Sequence, residues 1–207
     1  MARNLLKAGH AVTVWNRTGS KCDALVGEGA ERGGSPAAVV GACDVIFAML
    51  SDPAACRATV FGAEGVLAGL ESAGGKGKGY VDMSTVDAET STAISTAVTA
   101  AGGRFLEAPV SGSKGPAIDG SLVIMAAGDE GLNTEVSALL DVMGKKTFYL
   151  GADVGAGARM KLVVNMVMGT MMGAFAEGMA LAEKSDLSQQ MLLDILDLGA
   201  MSNPMFR

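Results

Sequence analysis

Histidine occurs once in this chain, as His10, and cysteine only as Cys22, Cys43 and Cys56. A lone histidine between Gly9 and an apolar run reads as a loop or capping residue, so a histidine-based triad or zinc site falls away. The cysteines are scattered, without a CxxC or any metal-ligand spacing. They read as reduced thiols packed in the core of an intracellular protein, and no metal is expected. Basic tracts are missing and the net charge is −6, which favours neither nucleic acid nor an anionic membrane. An anionic ligand must therefore be held by a few local donors. No cleavable leader pattern heads the chain, so the expected location is cytoplasmic, with organellar import left open. One stretch, residues 162–182, resembles a membrane span and carries Gly169 and Gly173 at GxxxG spacing. Asn165, Glu177 and the extra glycines within it favour a helix buried between domains and no membrane partner.

What is abundant is glycine, 29 of 207 residues, with 49% apolar residues, a balance that fits a glycine-turned α/β protein. Short apolar runs at 11–15, 44–50, 80–83, 104–108, 122–127 and 147–150 are predicted strands. Predicted helices fall between them at 2–8, 20–27, 35–41, 53–60, 88–101 and 132–143. Ser35 is placed as a cap and Pro36 at the first helical position. Strands alternating with helices imply a doubly wound, parallel sheet of the Rossmann type. The pattern breaks at 151–157, after which everything reads helical (158–184 and 188–198). The expected domains are thus 1–152, α/β, and 153–207, the start of an all-α second domain. A dinucleotide fold opens with a strand and a Gly-x-Gly-x-x-Gly turn. Neither precedes the helix at 2–8, so the first strand is expected to be missing.

Lys161 and Asn165 lie four apart on the predicted long helix and share a face. An ammonium in the apolar run Leu162-Val163-Val164 is costly unless used; otherwise it snorkels to water. A cation and an amide aimed together suit protonation and orientation of a carbonyl oxygen. Asn16-Arg17-Thr18 ends a strand where NAD binders carry an acid; an arginine there suits a 2′-phosphate, hence NADPH/NADP as cofactor. The bland alternative is a solvated arginine. Leu50-Ser51 and Thr85 follow the carboxyl ends of two further strands, where ligands of open sheets lie. Ser51 and Asp52 could equally be helix caps. Ser111-Gly112-Ser113 offers hydroxyls and amides for a carboxylate, or is a plain glycine loop. The methionines between 160 and 179 read as adaptable core.

Four segments occur in one order and spacing that resembles the β-hydroxyacid dehydrogenase family: Val12-Thr13-Val14-Trp15-Asn16-Arg17-Thr18, Val81-Asp82-Met83-Ser84-Thr85, residues 105–113 (FLEAPVSGS), and residues 155–165 (GAGARMKLVVN). Their details are most similar to the plant-type glyoxylate/succinic semialdehyde reductase branch, to which Ser113 also points. The resemblance implies catalytic Lys161 and Asn165, and substrate binding by Ser111, Gly112 and Ser113. It implies cofactor contacts at Asn16, Arg17, Thr18, Leu50, Ser51 and Thr85. The implied reaction is NADPH-dependent reduction of a small oxo-acid, glyoxylate or succinic semialdehyde, by a homo-oligomer. NAD-dependent oxidation of a 3-hydroxy acid such as 3-hydroxyisobutyrate is the alternative within the class. A non-catalytic scaffold module is the alternative outside it, since the family includes a chromatin-associated branch with the lysine replaced. In this family, sequence like residues 1–10 lies within and just after the first helix. The chain is therefore expected to be a fragment, lacking the glycine-rich turn and the C-terminal half of the second domain.

Overall fold

The computed structural model describes residues 1–75 and 77–206. Two compact units divide the chain, Met1–Leu162 and Val163–Arg207. In the first, α1 (Ala2–Lys7), β1 (Thr13–Val14), α2 (Asp23–Gly27) and β2 (Glu31–Arg32) lead to α3 (Pro36–Ala42) and β3 (Val45–Ala48). Next come α4 (Pro53–Phe61), α5 (Val66–Ser72), β4 (Gly79–Asp82), α6 (Ala88–Ala100), β5 (Arg104–Glu107) and β6 (Val110–Ser111). The unit continues through α7 (Lys114–Asp119), β7 (Leu122–Gly128), α8 (Glu130–Glu135), α9 (Ser137–Met143) and β8 (Gly144–Tyr149). Helix α10 (Ala156–Lys184) begins in this unit and ends in the next, where α11 (Gln189–Leu198) follows.

The main sheet runs β3-β4-β5-β7-β6, with β8 also paired to β7; β1 and β2 form a separate parallel pair. Strands β3, β4 and β5 are mutually parallel, as the alternating pattern predicts. Strand β7 departs from that pattern, running antiparallel to β5 and β6 and parallel to β8. The reason is the short connection through α7, too short for the crossover that parallel neighbours need. Strands β5 and β6 lie in succession along β7, interrupted at Ala108-Pro109, where the Pro109 carbonyl still accepts from Met125 N–H at 2.9 Å.

Successive strand residues point to opposite faces. Val81, Leu106 and Ile124 join Leu132, Val136 and Leu140 in one core. Tyr80 and Phe105, one position earlier in their strands, join Val40, Val60, Leu70, Ile94 and Val98 in the other. Helices thus cover both faces, which makes the sheet doubly wound. Ser35, Asp52, Asp87, Asp129 and Ser188 cap their helices by accepting a backbone N–H three residues on, each satisfying a donor the helix leaves orphaned. The predicted Ser35–Pro36 start is among them. Cys22, Cys43 and Cys56 are free, and burial pushes the Cys56 thiol up to about 11, leaving it inert at neutral pH.

The second unit consists of the rest of α10, helix α11 and a final turn, with Phe175 and Phe206 stacked at a centroid distance of 4.5 Å. By length and composition α10 is apolar enough to cross a membrane. Its expected burial is not what this chain shows: Met166 is 63% exposed and Leu181 68%. Two helices cannot enclose a core, so the methionines read as core form an open apolar face instead.

Candidate active site

A groove of about 1210 Å³ runs between the β1–β2 pair and β3, lined by Asn16, Arg17, Thr18, Leu50 and Ser51. These are the residues after the carboxyl ends of β1 and β3. Five of the six positions expected to touch a cofactor therefore share one cleft. Thr85, exposed after β4, is not part of its lining. After β1 the chain turns because Asn16 Oδ1 accepts from Thr18 N–H at 2.9 Å, which leaves Arg17 projecting from the turn, exposed. After β3, Ser51 Oγ donates to Asp52 Oδ2 at 2.6 Å while Asp52 Oδ1 caps α4 through Ala55. These hydrogen bonds, Ser51 first, hold the Asp52 carboxyl below its usual range, with a smaller contribution from the Arg17 charge. Ser51 thus borders the cleft and also hydrogen-bonds the Asp52 that caps α4.

The β3 loop is tied to the next one inward. Leu50 N–H donates to Ser84 Oγ at 3.0 Å, and Ser84 N–H to Asp82 Oδ1 at 2.9 Å. Asp82 is 2% exposed and its Oδ2 has no hydrogen-bond partner among the described residues. Burial, ahead of every other influence, raises its pKa. A carboxyl that binds its proton more tightly when folded loses stability as pH rises from the ordinary aspartate range to its raised value. Asp82→Asn keeps the acceptor for Ser84 and removes the charge. Its melting temperature relative to the parent should thus climb between pH 4 and pH 8, by about 2–4 °C for each kcal/mol relieved. A pH-independent difference measured by calorimetry would show that Asp82 carries no such burden.

Ser111 ends β6 and Ser113 stands before α7, its side chain making no cap hydrogen bond. Between them Gly112 has φ +131, and a Cβ there would meet Leu122 Cδ2 at 2.9 Å and Pro116 Cβ at 3.0 Å. Only glycine fits, so the backbone turn that joins Ser111 to Ser113 depends on it.

Lys161 is 8% exposed, five residues into α10, and no hydrogen-bond partner for its ammonium is found among the described residues. Its stem is buried, and the ammonium at its tip keeps a limited opening to solvent. Burial alone lowers its pKa below that of an ordinary lysine. Asn165 follows one turn later on the same helix, in the second unit.

The residue that sequence reasoning passes over is Glu107. Its carboxylate is 2% exposed, yet Oε1 accepts from Gly155 N–H and Gly157 N–H at 2.7 Å each, and Oε2 from the Ser91 hydroxyl at 2.6 Å. It caps α10 from another strand. The signal was present: a carboxylate inside the apolar run Phe105-Leu106-Glu107-Ala108 needs several donors to be affordable. Gly157 completes the seat, since a Cβ there would lie 2.7 Å from the Met125 carbonyl oxygen and 3.1 Å from Glu107 Oε1.

Two family models match the chain. The first, NAD binding domain of 6-phosphogluconate dehydrogenase, covers residues 1–151, and the second, NAD-binding of NADP-dependent 3-hydroxyisobutyrate dehydrogenase, covers 155–207. Glyoxylate/succinic semialdehyde reductase 1 of Arabidopsis thaliana is 60% identical over all of this chain and 70% of its own length. Cytokine-like nuclear factor N-PAC of Homo sapiens is 52% identical over 97% of this chain, which spans 35% of that relative. Among solved structures, Psf3 in complex with NADP+ and 2-OPP superposes with a TM-score of 0.89 at 25% identity, over 99% of this chain and 71% of the other.

Proposed function

This chain belongs to the β-hydroxyacid dehydrogenase family with a 6-phosphogluconate dehydrogenase-type cofactor domain, and from that premise we propose that it serves an NADPH-dependent reductase of short aldehyde-acids. The fold binds NAD(P), and support for the phosphorylated form comes from Arg17, which lines the groove with an exposed guanidinium and whose place after β1 suits it to pair with a 2′-phosphate. In this reading Asn16 and Thr18 add donors to that phosphate, and Leu50, Ser51 and Thr85 border the rest of the cofactor. When bound, NADPH supplies the reducing equivalent to the aldehyde carbon.

The protein supplies placement and charge. Ser111, Gly112 and Ser113 hold the substrate carboxylate with hydroxyls and backbone amides. Lys161 Nζ gives its proton to the carbonyl oxygen as negative charge develops there, and Asn165 orients the substrate or the lysine. The observation that carries the reading is the burial of Lys161: a lowered pKa makes its ammonium a readier acid near neutral pH than a solvated lysine. We take the substrate to be glyoxylate or succinic semialdehyde, the name of the Arabidopsis relative being the guide. We take the working form to be a cytoplasmic homo-oligomer that covers the apolar face of α10, with neither nucleic acid nor membrane as partner.

The test is NADPH oxidation by the whole protein, the chain carried with the flanking segments of the Arabidopsis relative, with both aldehydes. Turnover only of NAD with 3-hydroxyisobutyrate would replace the substrate assignment and leave the family intact. A second reading is a non-catalytic module, and what favours it is that the 52%-identical human relative is named as a nuclear factor and not as a reductase. The retained Lys161 speaks against it, and tight NADPH binding without turnover of any of these substrates would establish it.

A further inference from the structure

Helices normally take their cap from the residue just before the first turn. Helix α10 starts at Ala156 after Gly155, which has no side chain to offer. Glu107 accepts from both Gly155 and Gly157 across 48 and 50 residues of sequence, and its other oxygen is held by Ser91 of α6. A cap donated by a distant strand fixes where the helix sits as well as whether it forms. The same strand leads directly, through Ala108 and Pro109, into Ser111.

We propose that Glu107 is a positioning residue: its carboxylate fixes the start of α10 against the end of β5 and so sets the spacing between Lys161 and the Ser111–Ser113 cradle. The proposal rests on the roles given to Lys161 and the cradle above. Both arms from this anchor are short and stiff. From Glu107 the chain reaches Ser111 in four residues, held along β7 by the pairings Glu107↔Ala127, Val110↔Ile124 and Ser111↔Val123. From Gly157 it reaches Lys161 in four residues of continuous helix, about 6 Å of rise. No cation touches the carboxylate among the described residues; two backbone amides and one hydroxyl satisfy it. Its work is therefore geometric, through accepted hydrogen bonds. A displacement of about 1 Å at a reacting group is enough to cost on the order of 10²-fold in rate.

Two substitutions separate anchoring from charge and from mere folding. Glu107→Gln keeps Oε1 for both glycine amides and lets Nε2 donate to the Ser91 hydroxyl, so the anchor survives without its charge. Glu107→Asp keeps the charge and withdraws the carboxylate by one methylene. In the whole protein, Glu107→Asp should lower kcat about 10²-fold with NADPH affinity unchanged, whereas Glu107→Gln should stay within about 3-fold of the parent. A second measurement needs no substrate: reductive methylation with 13C-formaldehyde and titration of the dimethyl-Lys161 resonance, assigned by its loss in Lys161→Met. Glu107→Asp should move that titration toward the ordinary lysine range, and Glu107→Gln should not. If the parent turns over neither aldehyde yet the Lys161 titration responds in this way, the anchor stands and the substrate assignment fails. Unchanged kcat and titration in Glu107→Asp would overturn the proposal. So would equal damage from Glu107→Gln, which would assign the role to charge, or loss of NADPH binding and cooperative melting in Glu107→Asp, which would assign it to folding.

Discussion

Lys161→Met is expected to abolish turnover with glyoxylate and succinic semialdehyde while leaving NADPH affinity and the fold in place. A positioned proton donor supplies about 10²–10⁴-fold in rate, and its loss should lower kcat and kcat/KM together. Methionine keeps most of the stem's volume, so the packing cost is small. The structure adds a sign to the stability change. Lys161 is buried, and burial lowers its pKa, so the folded state binds the lysine proton less tightly than the unfolded one. Its charge is then a penalty to folding that is fully present below the lowered pKa and disappears as pH rises toward the ordinary lysine value. The methionine variant should melt no lower than the parent at pH 7. In the parent, kcat for reduction should fall as pH rises through the lowered pKa, because only the ammonium donates. Retention of a third of the parent kcat by Lys161→Met would remove the lysine from the reaction. Asn165→Ala should lower the same step less, since an orienting amide gives up no proton.

Arg17→Asp should reverse the preference between cofactors. It removes a charge-assisted contact to the 2′-phosphate and sets an anion beside it, at a cost of roughly 2–3 kcal/mol for NADPH. That is about 30- to 150-fold in kcat/KM. NADH presents only hydroxyls there and should lose little or improve. Because Arg17 is exposed and helps to depress the Asp52 pKa, the substitution also brings two carboxyls into one neighbourhood. The α4 cap should survive, since Asp52 accepts from Ala55 independently of Arg17. Steady-state kinetics with both cofactors in the whole protein decide the matter: an unchanged ratio of efficiencies would take Arg17 out of the site.

Periodicity made the longer elements legible. Apolar runs such as 44–50 and 122–127 read as buried strands because both faces of the sheet are covered. The elements that escaped are those with no pattern to show. Strand β2 is Glu31–Arg32, two charged and exposed residues whose pairing with β1 owes nothing to burial. Helix α7 contains Gly115 and Pro116, both helix breakers by propensity, and only the left-handed Gly120 after it marked an end. Strand β6 is a pair of residues behind Pro109, legible only as a loop until β7 supplies its partner. The helix expected over 132–143 splits at Val136 into α8 and α9, because Val136 takes φ −88 and ψ 0, outside the helical well. At the candidate site, strand ends located the Arg17 and Ser51 loops, since ligand loops of open sheets follow strand carboxyl ends. Glu107 stayed hidden for a different reason. A carboxylate in an apolar run shows that donors are needed but not where they come from: two of its three partners are backbone amides nearly fifty residues away, which leave no mark on a sequence.

The separation of β1 and β2 from the main sheet carries a consequence for how cohesion is distributed. Each strand of that pair has two residues, and its hydrophobic contacts centre on the small cluster of Val14, Cys22 and Ala30. So small a cluster gives this leaf a low opening free energy of its own, and its amides should exchange with solvent well before those of β4 or β7. A dinucleotide held at one end by the turn after β1 and at the other by the loop after β3 would bridge the leaf to the main sheet. Ligand that binds only the closed arrangement adds RT ln(1 + [L]/Kd) to its persistence, about 2.7 kcal/mol at a hundredfold excess over Kd. The cofactor would then act as mortar as well as reagent, slowing exchange in residues 12–32 far more than in the sheet behind them.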